Sequence, residues 1–344
     1  MERKNSFDYS GSLESPSYPC RKKVKLTMNI TTCAEDTGRY QNRKDLQDFF
    51  CSHGLNGLEV MEVGADEAGI IHPDDVLGVH LRYWSGWMDF WKSDEVRLME
   101  EYQSRENWEQ VFGGSTPQAL VESYRQNIRF ANTMKPEYLV FHVSECTMAE
   151  SMLRRDYYYS DEEVCDAVIE LLNQVVDEIE GEPWLLLENL WYSGLTMERP
   201  EIVKRLMEGV HYKKTGIMLD AGHLMHTNPK LKTSDEAVDY ILTILDRYED
   251  LSFIRGIHLH QSLTGSKATE LMQNWKPIEG TYQQQVWDVM MHIFRIDTHR
   301  PFCSCRIKEF FSCLSGLEFV CLEQITATRE EHDACLTEQM KYLA

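Results

Sequence analysis

The sequence predicts an α/β protein: a closed (β/α)8 TIM barrel with a disordered N-terminal tail and two long βα-loop excursions. Three observations carry this reading. Eight short, nearly continuous apolar runs of strand length recur between residues 25 and 325, the pattern of parallel strands buried on both faces. Amphipathic helical stretches with clear start signals lie between them. No G-x-G-x-x-G follows any run, which removes the main support for an open dinucleotide-binding sheet.

Residues 1–24 are rich in Ser, Pro, Tyr and charge and show no hydrophobic period. They are expected to be a disordered tail, with the barrel domain over 25–344. The runs are KLTMNITT (25–32), GLEVMEV (57–63), LGVHLRYW (77–84), YLVFHVSE (138–145), WLLLENLW (184–191), TGIMLDAG (215–222), IRGIHLHQ (254–261) and EFVCLEQI (318–325). A helix is expected over 115–134, with Ser115 or Thr116 as cap and Pro117 in the first position. A second is expected over 160–180. Ser160 caps it, acids fill its first turn, and Val164, Val168, Leu171, Leu172, Val175 and Ile179 fall at helical spacing. A third, over 233–248, is read with Ser234 as cap. The surplus over the roughly 250 residues of a typical barrel sits in the tail and in excursions over 85–114 and 261–296, the latter a candidate lid.

Composition narrows the functional classes. The chain has 344 residues, of which 42% are hydrophobic and 11% aromatic, enough for a large core. Its net charge of −21 makes double-stranded DNA a poor partner, since that excess repels phosphate backbones. No apolar run approaches the ~18–20 residues that cross a bilayer, so no membrane partner is expected. No signal-peptide pattern opens the chain, and a cytoplasmic location is the expectation. Ten scattered cysteines without a C-x-x-C pair read as free thiols rather than a zinc knuckle or a disulfide scaffold.

Strand C-termini of such a barrel open onto one rim, where active sites lie. The polar residues late in the runs are His80, His142, Glu188, Asp220 with His223 after it, His258 and Glu323; Asp297 and His299 follow the second excursion. A single histidine in a strand is ordinary. Nine His, Asp and Glu side chains gathered on one rim are not. A carboxylate such as Glu188, set inside LLLENL, is costly to bury unless it is paired or binds a metal. Imidazole and carboxylate donors suit zinc first, with manganese or iron as alternatives. Nine donors exceed the needs of one ion and match two or three divalent ions. His260 shares a face with His258 if its strand continues, and would then support a ligand; if the strand ends first, it turns towards the helices. His211 and His226 read as surface residues.

The order His80, His142, Glu188, Asp220-x-x-His223, His258, Asp297-x-His299, Glu323 resembles the xylose-isomerase-like barrel superfamily, also called the AP endonuclease 2 superfamily, over about residues 25–328. Its endonuclease IV branch has a trinuclear zinc site with these ligand types in this order. That resemblance implies one ion on His80, His142 and Glu188; a second on Glu188, Asp220, His258 and Glu323; and a third on His223, Asp297 and His299. Glu188, Asp220 and Glu323 would be the catalytic carboxylates. Sugar isomerases and epimerases of the superfamily typically use one ion and do not need the Asp-x-His pair, so its presence favours phosphodiester hydrolysis, which clustered divalent ions promote. The segments GVHLRYWSGWMDFW (78–91) and HIFRIDTHRPF (292–302) are also similar to cobamide-remodelling phosphodiesterases, which implies a small-molecule corrinoid substrate cut at its nucleotide-loop phosphoester. The remaining alternatives are a single-ion sugar or sugar-phosphate isomerase or epimerase, and a DNA-repair endonuclease. Tyr83, Trp84, Trp87 and Trp91 are expected to form an aromatic wall for the substrate, and Arg82, Lys276 and Arg300 are candidate phosphate contacts.

Overall fold

The computed structural model describes residues 24–153, 157–276 and 278–343. The expected tail falls, except for Val24, outside the described residues. Each of the eight apolar runs forms a strand: β1 Lys25–Thr31, β2 Gly57–Met61, β3 Val76–His80, β4 Tyr138–His142, β5 Trp184–Glu188, β6 Thr215–Asp220, β7 Ile254–His258 and β8 Phe319–Leu322. Each pairs in parallel with its sequence neighbour, and β8 returns to β1, Phe319 opposite Lys25 and Leu322 opposite Met28. The sheet is a closed barrel.

The two-residue period of a strand sorts the side chains. Tyr138, Val140, Leu186, Met218 and Phe319, from four strands, pack together inside the barrel. Residues of the opposite parity, among them Leu139, Phe141, Leu185, Leu187, Ile217 and Leu219, join the larger core under the helices. The same parity continues upward: Val140 leads to His142, Leu186 to Glu188, Met218 to Asp220, Gly256 to His258 and Gly78 to His80. Each polar residue therefore sits one layer above the apolar barrel interior, at the strand C-terminus.

The helices follow their start signals with three differences. Thr116 occupies the cap position before Pro117–Met134 but its hydroxyl makes no capping bond. Ser160 forms a full capping box with Glu163, yet the helix runs only over Asp161–Leu172. Beyond it the Asn173 side chain turns to the neighbouring segment, donating to Gly209 O at 2.9 Å and accepting from the His211 amide at 2.8 Å. A short 3-10 turn, Val176–Glu178, follows. Before Ser234–Leu245 the cap is Thr233, paired with Glu236 in a second capping box, and Ser234 is the first helical residue. The excursions are largely helical, with Trp87–Trp91, Glu95–Tyr102 and Arg105–Phe112 in the first and Gly265–Gln273 and Tyr282–Ile296 in the second. A two-stranded antiparallel pair, Ser144–Glu145 with Ser193–Gly194, extends the ends of the fourth and fifth runs. Among the described residues no helix is long and apolar enough to cross a membrane, and the nine described cysteines are free thiols.

One histidine outside the rim reports on this packing. His332, on the C-terminal helix Arg329–Leu343, is 3% exposed and tilts against the Phe49 ring. Its Nε2 has no hydrogen-bond partner among the described residues. Burial and the nearby Arg39 charge push its pKa down from 6.5 to about 4. The unfolded chain therefore takes up this proton first, and stability falls as the pH drops through 6.5, levelling off below 4. In urea unfolding, the wild-type chain should lose about 2 kcal/mol more between pH 7 and pH 5 than His332→Gln does. Parallel losses in the two proteins would contradict the assignment.

Candidate metal centre

At the mouth of the barrel the nine rim residues fall into three groups whose donor atoms lie within 4.8 Å of one another: His80, His142 and Glu188; Glu188, Asp220, His258 and Glu323; and His223, Asp297 and His299, joined by His260. Glu188 belongs to two of them. It is fully buried, with Oε2 3.1 Å from His80 Nε2 and 3.2 Å from His142 Nε2, and Oε1 3.0 Å from His258 Nδ1. Its two oxygens thus face different donor groups. Strand register makes this geometry: His142 lies opposite Glu188 across β4 and β5, and Asp220 opposite His258 across β6 and β7.

Local chemistry sets the remaining orientations. Asp220 caps the helix Ala221–His226, its Oδ1 accepting the His223 amide at 2.6 Å, which explains the three-residue spacing of the pair. Asn189 clamps the Asp220 backbone, with Nδ2 donating to its carbonyl at 3.1 Å and Oδ1 accepting its amide at 2.9 Å. Three imidazoles place Nδ1 on a backbone carbonyl: His80 on Leu81 at 2.9 Å, His223 on Asn189 at 2.9 Å and His299 on Glu323 at 3.3 Å. With Nδ1 donating, Nε2 is left as the donor atom for a metal. Asp297 Oδ2 lies 2.9 Å from His299 Nε2 and 3.4 Å from His223 Nε2, while Ser262 donates to its Oδ1 at 2.8 Å. His299 has φ of +43°, a left-handed backbone that is uncommon outside glycine.

Burial alone would raise the Glu188, Asp220 and Asp297 carboxyls, but the charges of facing imidazoles outweigh it. His142 and His258 hold Glu188 well below the usual carboxylate range, His223 and His260 hold Asp220 low, and His299 and His223 hold Asp297 low. Conversely, burial would depress His299, yet the Asp297 and Glu323 carboxylates lift it to about 9. The donor set fits divalent cations: it is nitrogen and oxygen throughout, and the Glu188, Asp220 and Asp297 carboxylates are buried and held in their charged form. Glu323 Oε2 fits too. It is buried without a hydrogen-bond partner among the described residues, and lies 3.4 Å from His258 Nδ1, 3.6 Å from His299 Nδ1 and 3.7 Å from His260 Nε2.

Two histidines and one glutamate extend the set. His260 is fully buried, 2.9 Å from Asp220 Oδ2 and stacked on the His299 ring at 3.8 Å. Strand β7 ends at His258, but the Leu259 amide still bonds Cys321 O, so the extended course carries His260 to the centre. His226, expected at the surface, is 3% exposed, and its Nε2 lies 3.5 Å from Asp297 Oδ1. Its i+3 spacing from His223 on one helix face was the available signal. His211 is exposed. Glu59 carries no such signal, because it sits in the middle of its strand rather than at the end.

A cavity of about 490 Å³ opens above the centre and includes His80, His142, His223, Asp297, His299 and Glu323 in its lining. Tyr83 and Trp84 line it, with Trp191, Tyr192 and the Met290 and Phe294 stripe of Tyr282–Ile296. Arg82 lines it also, its guanidinium 5.2 Å from the Trp84 ring. Four expected substrate contacts lie elsewhere. Trp87 is buried in the core and donates to Ser144 O at 2.9 Å. Trp91 points to Glu170 on the outer helix layer. Lys276 and Arg300 are exposed and outside the cavity lining, the latter because its backbone pairs with Gln261.

Fold and site together define a (β/α)8 barrel with a candidate metal centre at its mouth. A family model described as xylose isomerase-like TIM barrel matches residues 111–338, well over half of the sequence, and the chain belongs to that family. Similar solved structures include endonuclease IV from Thermus thermophilus (14% identity, covering 93% of this chain and 98% of that one, TM-score 0.46). Others are a D-tagatose 3-epimerase-like protein (14%, 93% and 97%, TM-score 0.46) and an IOLI protein with a bound zinc atom (12%, 93% and 96%, TM-score 0.47). A search of curated proteins gives no significant match.

Gly222 tests the centre's packing. A Cβ there would lie 2.0 Å from Cε1 and 2.2 Å from Nδ1 of His260. Gly222→Ala should therefore displace His260 from Asp220 and His299 and lower stability by about 1–3 kcal/mol, measured by denaturant unfolding. Wild-type stability would show that the ring has room to move.

Proposed function

We propose that this chain is a metal-dependent phosphodiesterase acting on a small molecule with a bulky, largely apolar group beside its phosphodiester, the nucleotide-loop phosphoester of a cobamide being the first candidate. The observation that carries the reading is Glu188. Its two buried oxygens face two donor groups, with the His223, Asp297 and His299 group adjoining, an arrangement suited to two or three ions rather than one. His80, His142 and Glu188 would hold the first ion; Glu188, Asp220, His258 and Glu323 the second; and His223, Asp297 and His299 the third. When bound, such ions polarise a phosphoryl oxygen, acidify a water and stabilise the leaving oxygen.

The chain's own residues supply the rest. Glu188, Asp220 and Glu323 would form the carboxylate edge against which an attacking water is oriented, and Glu323 Oε2, which has no hydrogen-bond partner among the described residues, would accept its proton. Arg82, at the cavity edge, is placed to meet a phosphate oxygen. The aromatic and methionine lining excludes water and receives the apolar group. A net charge of −21 disfavours a polynucleotide.

Elemental analysis of zinc-replete protein should find two or three ions per chain. Hydrolysis of adenosylcobalamin and of a chromogenic phosphodiester should fall at least about 100-fold in Glu188→Ala and His299→Ala. Full activity in either variant would refute the proposal. One ion per chain together with ketose epimerisation would replace it with the sugar epimerase reading, and cleavage of an abasic-site duplex alone with the DNA-repair one.

A further inference from the structure

Beneath the centre, on the barrel-interior side of His258, lies Glu59 of β2. Its side chain is 2% exposed, and both carboxylate oxygens are 3.1 Å from His258 Nε2. The Tyr138 hydroxyl donates to Glu59 Oε2 at 2.8 Å and lies 3.2 Å from Thr27 Oγ1. Room for this tyrosine comes from β3: a Cβ on Gly78 would fall 2.2 Å from Tyr138 Cζ. Four strands thus build one chain of contacts, Thr27 to Tyr138 to Glu59 to His258.

Glu59, His80 and His258 have donor atoms close enough to hold an ion of their own. The ring geometry argues for a different use. His80 Nδ1 is taken by Leu81 O and its Nε2 faces Glu188. His258 Nε2 is at hydrogen-bond distance from Glu59, whereas its Nδ1 faces Glu188 at 3.0 Å, Glu323 at 3.4 Å and Asp220 at 3.7 Å. We infer that Glu59 is a positioning residue for the metal centre: it accepts the Nε2–H of His258, fixes the tautomer whose Nδ1 lone pair points into the Glu188, Asp220 and Glu323 group, and is itself held by Tyr138. A carboxylate behind an imidazole also makes that imidazole a stronger donor. The inference rests on the metal-site reading above and adds to it a residue that touches neither the substrate nor an ion.

The test compares wild type, Glu59→Gln and Tyr138→Phe by chelator competition for zinc and by the visible spectrum of the cobalt-substituted protein. Glu59→Gln keeps the side-chain shape and removes the charge. It should weaken one zinc ion about 10- to 100-fold, leave the others bound, and shift the cobalt spectrum. Tyr138→Phe, which preserves the Glu59–His258 pair, should move both readouts less and in the same direction; it decides the matter if Glu59→Gln does not fold. Wild-type isotherms and spectra in the folded variants, or reduced stability with an unchanged cobalt spectrum, would overturn the inference. Failure of the wild-type chain to take up zinc at all would instead refute the metal-site reading.

Discussion

Two carboxylates, Glu188 and Asp220, are withdrawn completely from water at the mouth of this barrel, and the rest of the site is organised around that. Removing an ionised carboxylate from water costs several kcal/mol even after local relaxation. The surrounding protein must return that energy as charge and hydrogen bonds. Here the return comes from imidazoles on separate strands and loops: His80, His142, His223, His258 and His260 all lie within 3.7 Å of one of these two carboxylates. His80 and His223 are oriented in turn by backbone carbonyls and His258 by Glu59, so at these three the constraint passes from the carboxylates through the histidines into the barrel.

Electrostatics and recognition are divided between two layers. Charge is concentrated in the centre, where strand register holds it, and the cavity above is mostly aromatic and aliphatic, with Arg82 as its one guanidinium among the described residues. A substrate entering this space meets apolar surface first and the charged floor last. Its affinity would come chiefly from buried area, and any discrimination by charge would fall on the group that reaches the floor.

Much of the architecture was legible because it depends on local patterns. Doubly buried parallel strands are continuous apolar runs, and all eight were visible as such. Helix starts depend on one side chain and three residues of backbone, so Ser160 with Glu163 was readable. Helix ends were less so: the period through Val175 and Ile179 continues past Leu172, but the helix stops where the Asn173 side chain bonds Gly209 and His211, partners thirty-six and thirty-eight residues distant. The rim ligands stood out because an ionisable side chain at the end of an apolar run is costly to bury unless a partner or an ion offsets it.

By itself, then, the sequence determined the strand count, the strand starts to within one residue and the chemical type of nine side chains, all of which follow from periodicity and from the penalty for burying charge. Tertiary structure alone decided which atoms meet. Closing the sheet staggers its strands, and that stagger places Glu188 between two donor groups, brings His226 of the buried helix Ala221–His226 to 3.5 Å from Asp297, and sets mid-strand Glu59 behind His258. It also turned Trp87 into the core and Trp91 towards Glu170 on the helix layer, and kept Lys276 and Arg300 out of the cavity. Such contacts join residues tens to hundreds of positions apart, and no local period encodes the distance between two strands that become neighbours only when the barrel closes.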